Sequence, residues 1–138
     1  MGIDYGKNNV GIAVTDSLGI TVQPLKVLNR SNKKNDLKKL SDLCKELDIS
    51  EIVLGYPLNM NGTAGDSAKA VAAFGEKLEE ATGLRVHLWD ERLSTAHAER
   101  LMLDCDVSRG KRKKLKDTTA AAIILKSFQD SKNNREAN

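Results

Sequence analysis

The opening sixteen residues, MGIDYGKNNVGIAVTD, constrain the fold more than any other stretch. A short apolar run ends in Asp4, and a turn of Gly6, Lys7, Asn8 and Asn9 follows. A second apolar run, Val10 to Val14, then ends at Thr15 and Asp16. Two β-prone runs joined by turn residues read as a hairpin. Its inner end carries a carboxylate at Asp4, and Gly6 lets the backbone pass close to a bound phosphate or metal. Asp also starts turns for purely structural reasons. What favours a chemical role is the remainder of the chain, which supplies two more acids suited to the same site.

Ile20 to Leu28 (ITVQPLKVL) is a third extended run, and Pro24 within it points to an edge strand or a bulge. A polar, basic loop spans Asn29 to Asn35. Leu37, Leu40, Leu43 and Leu47 then recur at helical spacing, with Lys38, Lys39, Asp42 and Glu46 on the wet side. Ile52 to Leu54 has the continuous apolar character of a buried parallel strand and stops at Gly55. After the loop YPLNMNGTAG, Ala68, Val71, Ala72, Leu78 and Ala81 mark a second helix, capped by Gly83. Val86, Leu88 and Trp89 form a fifth strand that delivers Asp90 and Glu91 to its carboxyl end. Ser94 or Thr95 caps a third helix running to about Leu103. Cys105 to Arg112 connects to a last helix over about 114–131, with Leu115, Ala122, Leu125 and Phe128 on its apolar face. Residues 131–138 read as a frayed tail.

This order gives an α/β fold: a mixed five-stranded sheet, three antiparallel strands first, with helices on both faces. In such sheets, sites lie beyond the carboxyl ends of strands. Asp4 and Glu91 both fall at such ends. A length of 138 residues suffices for one domain, 1–138, and not for two. Aromatics make up only 4%, so Leu, Ile, Val and Ala must build the core. Cys44 and Cys105 form no C-x-x-C pair and read as free thiols in a reducing cytosol. No apolar run reaches membrane-spanning length and no signal peptide opens the chain, so the expected location is the cytoplasm.

Asp4, Glu91 and Asp117 are the candidate catalytic and metal-binding residues. Carboxylates are hard ligands that suit Mg²⁺ or Mn²⁺ rather than Zn²⁺. Two such ions roughly 4 Å apart activate water and stabilise the leaving oxygen of a phosphodiester. Each acid has a plainer account too. Glu91 beside Arg92 reads equally as a surface ion pair, and Asp117 as a complement to a helix dipole. Asp16 and Asp90 read as nearer structural, with a supporting role beside the site the alternative for either. The net charge of +3 says little, but its distribution says more. Arg109, Lys111, Arg112, Lys113, Lys114 and Lys116 crowd just before Asp117, where they can grip phosphates. With no aromatic among them, base stacking is not implied. Gly6, Lys7 and Arg92, with Asn59 and Asn61 of the Asn-Gly loop, complete the candidate nucleic-acid contacts; a plain strand-to-helix connection explains that loop as well. His87 and His97 lack ligand-spaced partners and read as structural or surface residues.

DYGKNNVGIAVTD at 4–16, GYPLNMNG at 55–62, WDERLST at 89–95 and KDTTAAAIIL at 116–125 stand in the order found in the YqgF family, which the chain resembles over nearly its whole length. These bacterial proteins are described as Holliday-junction-resolvase-like or as pre-16S rRNA nucleases. The resemblance implies a ribonuclease-H-like fold and carries the family's acids onto Asp4, Glu91 and Asp117. It implies metal-dependent hydrolysis of a nucleic-acid backbone, in particular at the 5′ end of the ribosomal RNA precursor, by a monomer or homodimer. Two features depart from the pattern. Asn9 stands where an Arg is common, removing one expected basic contact, and the first strand starts only three residues before Asp4. Branched DNA is the alternative substrate. A non-catalytic nucleic-acid-binding module is a second alternative. An ATP-binding fold of the sugar-kinase and actin type ranks last, because it needs two lobes of this kind.

Overall fold

The opening run folds as the expected hairpin, β1 (Gly2–Tyr5) and β2 (Asn9–Thr15), in a computed structural model that describes residues 1–16, 21–91 and 120–132. β3 (Val22–Asn29) pairs with β2 at the sheet edge. An edge is where Pro24, lacking an N–H for the ladder, is tolerated. The register also slips beside it, between Ile12 and Ala13, so both readings of Pro24 hold. α1 (Lys33–Glu46) starts at Asn32, whose side chain accepts the Asn35 N–H at 2.8 Å. Leu40 and Leu43 are buried, whereas Leu47, expected on the same face, is 39% exposed. The helix has ended by then, and Leu47 is its C-cap.

β4 (Glu51–Tyr56) runs one residue past Gly55 and is buried from Ile52 to Gly55. α2 (Asp66–Thr82) buries Ala68, Val71, Phe74, Gly75 and Leu78. Ala81, expected on that face, is exposed; in the last turn the neighbour is Ser41 of α1, whose hydroxyl donates to Ala81 O at 3.4 Å. Gly83 closes the helix with φ 70°, a left-handed conformation natural to glycine. β5 (Arg85–Asp90) completes the sheet.

The strand order is β3-β2-β1-β4-β5. β1–β2 and β2–β3 are antiparallel, while β1–β4 and β4–β5 are parallel, which is the mixed sheet expected from the sequence. α1 and α2 cover one face, packing Leu40, Phe74 and Leu78 against Ile3, Ile12, Ile52 and Leu54. The helical residues 120–132, here α3, cover the other. Their deepest side chains are Ala121, Ile124 and Leu125, set against Ala13 and Val53, with Ala122 and Phe128 only partly buried. A Cβ at Gly2 would stand 2.7 Å from both Ala121 O and Leu125 Cβ, so this glycine is what lets α3 lie flat on β1. Lys132, expected in the tail, is still helical, and its Nζ reaches Glu51 Oε1 at 3.2 Å. Among the described residues, no helix is long and apolar enough to cross a membrane.

Candidate active site at the carboxyl ends of the strands

Side chains alternate across a strand, so Ile3 and Tyr5 face α1 and α2 while Gly2 and Asp4 face the α3 side. Asp4 lies opposite Gly11 on β2. On its other flank, Gly2 pairs with Val53 and Ile3 with Leu54, and continuing that register sets Asp4 beside Gly55. The acid thus stands between two glycines, with no side chain crowding it along the sheet. Glu91, one residue beyond β5, fills part of this space. A Cβ at Gly55 would come within 2.6 Å of Glu91 Oε1 and 2.7 Å of Ile124 Cδ1. Gly55 is therefore what admits the Glu91 carboxylate to the sheet surface. That is a stronger reason for glycine than the strand ending its sequence suggested.

Asp4 and Glu91 are hydrogen-bonded to each other. Burial above all, then the charge of Asp4 and its hydrogen bond, then the charge of Asp90, push the Glu91 carboxyl up to about 8. At neutral pH Glu91 accordingly keeps its proton and donates it toward Asp4. Two acids pressed together in this way hold either a shared proton or a cation in its place. The donors are all hard oxygens, which fits Mg²⁺ or Mn²⁺. Among the described residues, no group of three metal-capable side chains gathers.

Asp117, Arg92 and the basic run Arg109, Lys111, Arg112, Lys113, Lys114 and Lys116 lie outside the described residues, as do Ser94, Thr95, His97 and Cys105. Lys7 is exposed at the tip of the β1–β2 turn. Gly6 has a reason within the turn itself: its N–H donates to Asn9 O at 2.9 Å, and a Cβ there would meet the same oxygen at 2.9 Å. The missing Arg at position 9 does not leave this turn without a guanidinium, because Arg30 Nη1 donates to Gly6 O at 3.0 Å and Lys7 O at 3.2 Å.

In the β4–α2 loop, Asn59 and Asn61 hold the loop's own shape. Asn59 Nδ2 donates to Thr63 Oγ1 at 3.1 Å, and Asn61 Oδ1 accepts from Thr63 N at 3.1 Å and from its hydroxyl at 2.6 Å. His87 is structural as expected, with Nε2 at 3.0 Å from Glu51 Oε2 and its ring beside Phe128. Cys44 is a buried free thiol. Sequence reasoning passed over Arg30 and Asp36, and read Gly55 only as the end of a strand. Asp36 had no detectable signal, since an acid in a first helical turn is ordinary; here it is 4% exposed.

A family model described as RuvX, Holliday junction resolvase, matches residues 1–131. A protein of Clostridioides difficile (strain 630) named "Putative pre-16S rRNA nuclease" is 47% identical over 134 residues, covering 97% of this chain and 95% of its own length. A relative of the same name from Desulforamulus reducens is 45% identical over 131 residues, with 95% and 96% covered. Among solved structures, Thermus thermophilus RuvC in complex with a Holliday junction substrate superposes with a TM-score of 0.58 at 13% identity, over 94% of each chain. Fowlpox virus resolvase with Holliday junction DNA gives 0.57 at 12% identity, over 94% and 95%. At such identities the likeness is one of fold, and it is the ribonuclease-H-like fold expected from the motifs.

Proposed function

The chain belongs to the RuvX family of Holliday junction resolvases, the YqgF family anticipated from its motifs, and on that footing we propose that it is a nuclease that hydrolyses phosphodiester bonds in a ribosomal RNA precursor. In this reading it trims the 5′ end of pre-16S rRNA in the cytoplasm, acting as one domain. The observation that carries the reading is the hydrogen-bonded Asp4–Glu91 pair between two glycines at the carboxyl edge of the sheet.

Asp4 and Glu91, with Asp117 as the third candidate ligand, would hold Mg²⁺ or Mn²⁺. Bound there, the cation supplies an activated water and charge stabilisation for the leaving oxygen. The chain's own residues do the rest. Gly11 and Gly55 keep strand side chains from flanking Asp4, and Gly55 admits the Glu91 carboxylate beside it. Exposed Lys7 and the basic run from Arg109 to Lys116 attract and orient the backbone, which makes binding steeply salt-dependent.

The test is cleavage of labelled pre-16S rRNA and of four-way DNA junctions side by side, with and without Mn²⁺. We expect metal-dependent cutting of the RNA, lowered about 10³-fold or more by Asp4→Asn, the equivalent of about 4 kcal/mol of lost transition-state stabilisation. Undiminished cleavage by that variant refutes the assignment. Preferential cutting of the junction moves the substrate to branched DNA, and salt-sensitive binding without turnover makes the chain a binding module.

A further inference from the structure

We propose that Arg30 is the positioning residue for the Asp4–Glu91 pair: from the β3–α1 junction it clamps the turn that follows Asp4 and so sets where that carboxylate stands. The inference rests on the reading of this pair as the hydrolytic centre.

β1 is four residues long, and Asp4 is followed after Tyr5 by the turn. The strand ends one residue after Asp4, so the conformation of the turn that follows helps to set where the carboxylate stands. Arg30 makes three hydrogen bonds to three successive turn residues. Its Nη1 donates to Gly6 O at 3.0 Å and to Lys7 O at 3.2 Å, and its backbone N–H donates to Asn8 O at 2.9 Å.

The guanidinium is itself held on its remaining sides. Its Cζ lies 4.1 Å from the centre of the Tyr5 ring, within cation–π range. That ring stacks on Phe74 at 4.0 Å with planes 10° apart, and Phe74 is fully buried. Arg30 Nε faces Asp36 Oδ2 at 3.8 Å. Asp36 is fixed in turn, its Oδ1 accepting Ser31 N at 3.0 Å and Ser31 Oγ at 3.3 Å.

The detail that separates a positioning role from an ordinary ion pair is what the guanidinium gives up. Arg and carboxylate favour a two-bonded fork. Among the described residues, Nε and the nearly buried Asp36 Oδ2 both lack a hydrogen-bond partner. Leaving buried polar atoms unpaired is costly. The guanidinium is drawn past its best contact with Asp36 and spends Nη1 on the turn carbonyls instead. Tyr5 faces α2, so the clamp acts from the face of the sheet opposite Asp4.

The experiment compares the full chain with Arg30→Ala and Arg30→Lys. Arg30→Lys retains a cation for Asp36 and so keeps the fold, but an ammonium lacks the planar fork that spans both carbonyls. In the metal-free proteins, hydrogen exchange is expected to accelerate at Gly6, whose N–H closes the turn, with β4 unchanged. The Mn²⁺ concentration that gives half-maximal thermal stabilisation should rise about tenfold, and kcat should fall about 10–100-fold, as when supports of a metal ligand are removed. KM for RNA should stay near wild type. Millimolar guanidinium should restore much of the rate to Arg30→Ala and none to Arg30→Lys. A folded Arg30→Lys with wild-type exchange, Mn²⁺ midpoint and kcat overturns the proposal, as does a loss confined to KM, which makes Arg30 a phosphate contact. Wild-type protein that neither binds Mn²⁺ nor cuts nucleic acid sinks the hydrolytic reading, and this role with it.

Discussion

Glu51 opens β4 and Glu91 follows β5, at opposite ends of one parallel strand pair, and their surroundings treat a carboxylate in opposite ways. Glu51 has Lys132 Nζ at 3.2 Å and His87 Nε2 at 3.0 Å, while its backbone oxygen accepts the Met1 ammonium at 3.0 Å. Burial pushes its carboxyl up, but the hydrogen bonds and charges of Lys132 and His87 outweigh this and hold it below the usual range. Glu91 is more deeply buried and has acids beside it, and its carboxyl rises to about 8. One end of the sheet is neutralised and structural. The other presses two carboxyls together away from water, a cost that folded proteins carry where chemistry requires it.

The largest break in this contrast should come from Gly55→Ala. Its Cβ would fall 2.6 Å from Glu91 Oε1 and 2.7 Å from Ile124 Cδ1, so the acid and α3 must both give way. We expect a loss of about 1–3 kcal/mol in denaturant unfolding, as for other overpacked sites, with cleavage down about 10²-fold through misplacement. Gly83→Ala is the control: it meets nothing within 4 Å and is strained only by its φ of 70°. It should cost about 1 kcal/mol of stability and leave cleavage unchanged.

Next in size is the response to pH. In metal-free protein, folded Glu91 keeps a proton up to about 8 that the unfolded chain releases near 4.5. Its contribution to stability is therefore complete below the unfolded value and is lost as pH rises through that window. Melting of the chelated protein should drop by on the order of 5 °C between about pH 5 and pH 8.5. Glu91→Gln or added Mn²⁺ should flatten the curve; a wild-type curve that is flat without metal contradicts the pairing.

The smallest effect belongs to the neutralised end. Glu51→Gln should cost at most about 1 kcal/mol, because the ion pairs are partly exposed. The sign is opposite to that of Glu91: the Glu51 contribution is present above its unfolded value and lost as pH falls through the lowered folded one. Nuclease activity should not change, and a change would couple the two ends.

Much of this was legible in the residues. Hairpin chemistry located Asp4, apolar runs located β4 and β5, and the glycine at position 83 closed α2 as read. Local periodicity misassigned Leu47, which follows the helical pattern but caps the helix, and Ala81, which is exposed in the last turn of α2. It also gave α3 an apolar face of 122, 125 and 128, whereas the deepest positions are 121, 124 and 125; which side of a helix is buried depends on the surface it meets. Arg30 and Asp36 were hidden inside a stretch that reads as a polar loop and a helix start. Their contacts join residues 24 and 5 positions apart, and nothing local announces them.

Sequence alone marked the five strands and the two helices between them, their order, and Asp4 and Glu91 as candidate acids, because turn chemistry, strand alternation and carboxylate type are properties of neighbouring residues. Only the tertiary structure decided that Asp4 and Glu91 come within hydrogen-bonding reach, that Gly55 makes room for Glu91, and that Arg30 steadies the turn beside them. Those outcomes depend on distances between segments far apart in the chain, and on how deeply each charge is removed from water.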